Sequence, residues 1–222
     1  TCITGTWTGP EMGIVNSQYV GDKATNHHLL VFGLPDGWAD HVPDGQLFPC
    51  DFDSNEEHIV APLHTWSPAG EKGFGERLKP GQRYFLELHS VNHFSHPVLV
   101  NGAAKLLLRS MDKLTGITAP FMLGPNEIQV KPGDYHIKFT YEWPKDTMLL
   151  LVQAHLHELG KWFAIDWTSS KGTQRILEVD PWKYDYVSIN APGNSYDVDE
   201  FTVKAGDTFT VHCRWHNPTD KD

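Results

Sequence analysis

Imidazole is the side chain best supplied for chemistry in this chain, with 13 histidines against 3 cysteines in 222 residues. His155 and His157 have the most informative spacing. They flank Leu156 at the end of the most apolar stretch, Met148 to His157, and in an extended strand residues i and i+2 face the same way. Two imidazoles on one face can ligate one ion, and imidazole suits Cu, Zn, Ni or Fe. The competing assignment buries one ring against a carbonyl and leaves the other solvated. His27 and His28 open the run Leu29-Leu30-Val31-Phe32-Gly33. Adjacent residues of a regular strand point to opposite faces, so this pair can serve one ion only at a bulge or a strand end; otherwise it is a polar strand entry. His89 closes the alternating run Phe85-Leu86-Glu87-Leu88, which places it on a sheet, and His93 and His96 follow. His41, His58, His64, His136, His212 and His216 sit among polar or turn residues without ligand spacing, and are read as structural or surface residues.

Other chemistries lack their residues. The acidic run Asp51 to Glu57 has Glu56 where a calcium loop needs glycine and Pro62 where it needs glutamate, so it reads as a solvated turn. No nucleophile elbow, phosphate-cradling glycine loop or Cys-x-x-Cys pair occurs. With 28 acidic and 18 basic residues the formal net charge is −10, which argues against nucleic acid and anionic membranes as partners. The longest aliphatic run, Met148 to Val152, falls far short of the roughly 20 residues that span a bilayer. No basic-then-apolar leader precedes Thr1, consistent either with a mature form or with a chain that never carried one. Three cysteines are too few for a disulfide scaffold and leave at least one thiol without an internal partner.

The elements that would position these histidines are strands. Glycine and proline, 19 and 15 of them, are scattered and cut the chain into strand-length segments with no convincing helix between. Segments 28–32, 83–89, 105–109, 135–141, 148–157, 175–179 and 208–214 are rich in β-branched, aromatic and leucine residues, and several alternate. The pattern predicts an all-β sandwich. Lys79-Pro80-Gly81-Gln82, Lys131-Pro132-Gly133-Asp134 and Lys204-Ala205-Gly206-Asp207 read as recurrent β-turns in which glycine supplies a positive φ. The stretch Asp112 to Asn126 is the best boundary between two halves, 1–111 and 112–222. Trp38, Trp66, Trp162, Trp167 and Trp182 could form a stacking face for carbohydrate, but core packing is the ordinary fate of tryptophan.

Taken together, the strongest segments resemble the copper type II, ascorbate-dependent monooxygenases, the family of peptidylglycine α-hydroxylating monooxygenase and dopamine β-monooxygenase. His27-His28-Leu29-Leu30-Val31-Phe32-Gly33 is similar to that family's His-His-Met-Leu-Leu-Phe-Gly. Tyr84 to His89 is similar to its apolar strand ending in histidine, and His155-Leu156-His157-Glu158-Leu159-Gly160-Lys161 to its His-Thr-His-x-Leu-Gly-Lys. Trp66-Ser67-Pro68-Ala69-Gly70, Lys79-Pro80-Gly81 and Gly206 to Cys213 also have counterparts, so the resemblance covers nearly the whole chain in the same order.

The resemblance implies two antiparallel, jelly-roll-like β-sandwich domains facing each other across a cleft. It implies an electron-transfer copper on His27, His28 and His89 in domain 1–111, reduced by ascorbate, and a second copper on His155 and His157 in domain 112–222, where O2 is used to hydroxylate a C–H bond of a small organic substrate. It also implies a Cys2–Cys50 disulfide, hence an oxidising compartment, secreted or periplasmic. The family's third ligand to the second copper is the Met of a Glu-Met-Cys motif whose Cys pairs with the counterpart of Cys213. Met12, Met111, Met122 and Met148 do not match that position, and the expectation is a chain trimmed at its C-terminus, with trimming at the N-terminus possible too. Peptide-processing members carry Arg where this chain has Gln153, which favours the phenethylamine-hydroxylating branch. The alternative function is a non-catalytic copper-binding protein of the periplasm or cell surface on the same fold.

Overall fold

The computed structural model describes residues 2–21, 26–34, 43–48, 70–90, 92, 94–121, 123–124, 128–157, 159–183, 186 and 192–220. The chain is all-β. It divides into two compact units, Thr1–Met122 and Leu123–Asp222, and the division falls within the stretch 112–126.

In the first unit, β1 (Cys2–Thr6), β3 (Asn26–Gly33), β4 (Leu47–Phe48) and β6 (Arg83–Ser90) form an antiparallel sheet in the order β3-β6-β1-β4. A second sheet contains β2 (Met12–Gly21), β5 (Phe74–Leu78), β7 (Gly102–Ser110) and β8 (Gly116–Thr118) in the order β7-β2-β5-β8. Here β5 and β8 run parallel, which keeps β8 with the first unit rather than beyond residue 111. Ile14 and Leu78 of the second sheet pack in one cluster with Val31 of the first, joined by Leu29, Leu86 and Leu106, so the two sheets face each other as in a sandwich. Fully burying each such aliphatic side chain contributes roughly 1.5–3 kcal/mol.

The second unit is built on β9 (Gly133–Glu142), β12 (Gly160–Ser169), β13 (Gly172–Val179) and β16 (Thr208–Asn217), antiparallel in the order β13-β12-β16-β9. Alternation decides which face is buried. Phe209, Val211, Cys213 and Trp215 of β16 are all at or below 5% exposure, whereas His212, Arg214 and His216 face outward. Two short pairs complete the unit: β10 (Thr147–Met148) with β15 (Thr202–Val203), and β11 (Leu151–Gln153) with β14 (Gly193–Ser195).

The stretch Met148 to His157 is therefore not one strand. Its backbone pairs first with 201–203 and then with 193–196, and the turn 197–200, where Asp199 has φ 65°, separates the two partners. The three expected turns are present: Gly81, Gly133 and Gly206 have φ of 76°, 86° and 90°. No helix among the described residues is long and apolar enough to cross a membrane.

Candidate metal centre

His155 and His157 lie just past β11 in a segment that keeps the period of a strand. Ala154 and Leu156 point into the core at 0% and 4% exposure, so the two histidines project together on the opposite, exposed side. The Ala154 N–H donates to the Pro192 carbonyl at 2.9 Å and holds the start of the segment to the chain beside it. The two rings stand nearly perpendicular, 85° apart, with their Nε2 atoms 3.1 Å from each other. That separation suits an N–H···N bond between neutral imidazoles. It equally suits two nitrogens each about 2.0–2.1 Å from a shared ion, subtending roughly 100° there, between square and tetrahedral geometry. Among the described residues no third His, Cys, Asp or Glu completes a group of three around an ion.

The turn after His157 is tightly constrained. Leu159 takes φ 66°, a conformation costly for a branched side chain, and the Gly160 N–H donates back to the His157 carbonyl at 3.3 Å. A Cβ on Gly160 would sit 2.9 Å from Cδ1 of Trp182, 3.0 Å from the His157 oxygen and 3.1 Å from Cβ of Leu156. Only glycine lets the turn pack against Trp182 while holding the histidine segment in place. Gln153 stands two residues before His155 at the end of β11, half-buried and opposite Gly193.

The other three histidines meet through backbone register. On the antiparallel pair β3 and β6, Asn26 faces Ser90 and His28 faces His89, which leaves His27 as an extra residue. This is a β-bulge, in which two residues of one strand, His27 and His28, oppose one residue of the other, His89. The pairing that a joint site requires is thus present at the position where the two adjacent histidines occur. The side chains of these three residues lie outside what the structure describes.

Cys213 is the free cysteine among the described residues, and burial pushes its thiol up to about 12. Cys2 is buried at the start of β1, while Cys50 lies outside the described residues, and with it the expected pairing. His41, His58, His64, His93, the acidic run Asp51 to Glu57, Trp38 and Trp66 also lie outside them. The described tryptophans do not share a face: Trp182 is in the core, Trp167 packs against it, and Trp162 lies on the outer side of β12 with His136 and His212. That last cluster carries no local spacing signal, since its members come from three different strands. Met148 accepts a hydrogen bond at Sδ from the Asp199 N–H, 3.2 Å away.

No protein-family model matches the chain, and no curated protein matches it.

Proposed function

We propose that the chain is a copper-dependent monooxygenase that hydroxylates a C–H bond of a small organic molecule, using O2 and a one-electron reductant such as ascorbate. The observation that carries the reading is the convergence of His155 and His157, whose Nε2 atoms stand 3.1 Å apart on an exposed segment braced by Gly160. The bulge that sets His27 and His28 against His89 supports a second site, this one of three histidines. Copper, when bound, would supply O2 binding and one-electron redox chemistry. The five histidines would hold it as neutral ligands, so that both sites load at neutral pH and empty in acid. Gln153, on the same side of its segment as His155, would face substrate as an uncharged hydrogen-bonding group. The reaction puts one oxygen atom into the C–H bond and releases the other as water, with two electrons from the reductant and two protons.

The finer architecture belongs to the same proposal: two jelly-roll-like domains with a copper site in each, a Cys2–Cys50 disulfide, and residence in an oxidising compartment outside the cytosol. A non-catalytic copper-binding protein is the second reading. It is favoured by the absence, among the described residues, of a third His, Cys, Asp or Glu beside His155 and His157, and by the engagement of Met148 with Asp199.

Copper stoichiometry after anaerobic Cu(I) loading separates the readings. The first expects two coppers per chain, one lost in His155→Ala and the other in His27→Ala, and reductant-dependent O2 uptake that either substitution abolishes. Uptake that persists in both variants refutes the enzyme. Copper binding without turnover of any phenethylamine or other small organic substrate establishes the binding protein instead.

A further inference from the structure

We propose that a cavity of about 490 Å³ on the second unit, lined by Lys161, Arg214, His136, Asp134, Tyr135 and Trp215, is a binding site for a small oxyanion, a carboxylate or a phosphate. The inference does not depend on the copper reading.

Lys161 reaches this place because of a bulge. Gly160 faces Trp215 and Trp162 faces Arg214, so Lys161 is an extra residue of β12. In a regular strand it would share the inward face of Phe163, which is 5% exposed; with the bulge its ammonium group is exposed and opens onto the cavity. Arg214 is held in advance. Its guanidinium carbon lies 4.5 Å from the centre of the Trp162 ring. That ring is fixed by its own N–H, which donates to Glu178 Oε1 at 2.8 Å, and by the Arg175 guanidinium 5.5 Å from its centre. Stacking occupies the guanidinium face and leaves its in-plane N–H donors for an acceptor, the arrangement that recognises carboxylate and phosphate.

Neither Lys161 nor Arg214 forms an ion pair with a carboxylate of a described residue, although the chain has 28 acidic residues to 18 basic ones. The acid on the cavity wall, Asp134, is taken by His216 Nδ1 at 2.8 Å, and its side chain is 92% exposed, so its repulsion of an anion is screened by water. His136 adds a third donor. Slight desolvation and then the charges of Arg214, His212 and Lys138 hold its pKa below the usual histidine value, so at neutral pH it offers one N–H and no charge of its own. An arriving anion reverses part of that balance and raises it.

The test is an NMR titration of the His136 ring in the full chain with inorganic phosphate and, separately, with malonate, against sodium chloride of equal ionic strength. A saturable shift of the His136 signals with a rise in its pKa is expected for at least one anion; phosphate alone assigns a phosphate site, malonate alone a carboxylate site, and both a general oxyanion site. Lys161→Met touches no core packing and should weaken binding about tenfold, while Arg214→Lys keeps the charge, loses the fork and should weaken it by a similar factor. If neither anion moves His136 beyond the chloride control at about 50 mM, weaker than any specific small-ligand affinity, or if Lys161→Met binds as tightly as the parent, the proposal is overturned.

Discussion

Replacing Glu76 by glutamine should change how the stability of this protein depends on pH. Glu76 lies on β5 on the same face as Phe74 and Leu78, opposite Ile14, and is 8% exposed. Burial raises its carboxyl from 4.5 to about 9, with no charged or hydrogen-bonding group among the described residues to offset it. Between those values the folded chain keeps a proton that the unfolded chain releases. The contribution of Glu76 to stability is therefore greatest below pH 4.5 and declines as pH rises toward 9, by about 1.4 kcal/mol per pH unit. At pH 7 the accumulated loss is about 3 kcal/mol, a large share of the 5–15 kcal/mol typical of a domain. Glutamine matches the side chain in shape and does not titrate. Urea unfolding followed by tryptophan fluorescence, from pH 5 to 9, should show the variant gaining on the parent by about 5 kcal/mol across the range. Parallel stability curves, with a constant difference between the two proteins, would refute the reasoning, because they would mean that Glu76 is already solvated and ionised in the folded chain.

Three further perturbations follow from the same kind of accounting. Cys213, buried and with its thiol near 12, should resist iodoacetamide at pH 8 in the folded protein and label within minutes in denaturant, as mass spectrometry would show. Gly160→Ala should cost about 1–3 kcal/mol by overpacking against Trp182 and should weaken the proposed copper binding at His155 and His157 while leaving the proposed site at His27, His28 and His89 loaded; equal Cu(I) affinity in parent and variant would contradict the role given to that turn. Asp166 accepts from Arg175 Nε at 2.6 Å and from His212 Nε2 at 3.1 Å, and the Arg175 hydrogen bond holds its carboxyl below 3.8. Its contribution is thus present above pH 3.8 and lost as pH falls through the lower folded value, so Asp166→Asn should cost about 1 kcal/mol at pH 7 and much less in strong acid, measured by thermal unfolding.

Where one face of a strand meets the core, the residues themselves show it. Tyr135, Ile137, Phe139 and Tyr141 alternate with Asp134, His136, Lys138 and Thr140, and β9 is found where that pattern lies. Strand β2 hides behind Gly13, Asn16, Ser17 and Gly21, poor strand formers that are extended because β7 pairs along the strand on one side and β5 adds pairing at Met12 to Ile14 on the other. The candidate site divides in the same way. The facing of His155 and His157 follows from a period of two that survives beyond the strand, even though pairing breaks the segment Met148 to His157 into pieces. Whether His27 and His28 both meet His89 depends on register with β6, a property of two strands that neither reveals alone. Lys161 is the converse case: parity turns it inward, and only the offset between β12 and β16 turns it out. His136 and His212 have no telling spacing between them because they lie on different strands, and Trp162, which gives both a setting, arrives from a third.

The bulge at His27 also bears on how the protein stays apart from its own copies. Strand β3 stands at the end of its sheet, and among the described residues its ladder partner is β6. A flat terminal strand rich in Leu, Val and Phe invites another chain to add to it, the first step toward aggregation. An extra residue near the start of β3 spoils the even spacing of backbone donors and acceptors on which such an addition would be templated. Deleting His27 would therefore remove a proposed copper ligand and at the same time straighten an aggregation-competent edge, whereas His27→Ala would remove the proposed ligand and keep the edge protected.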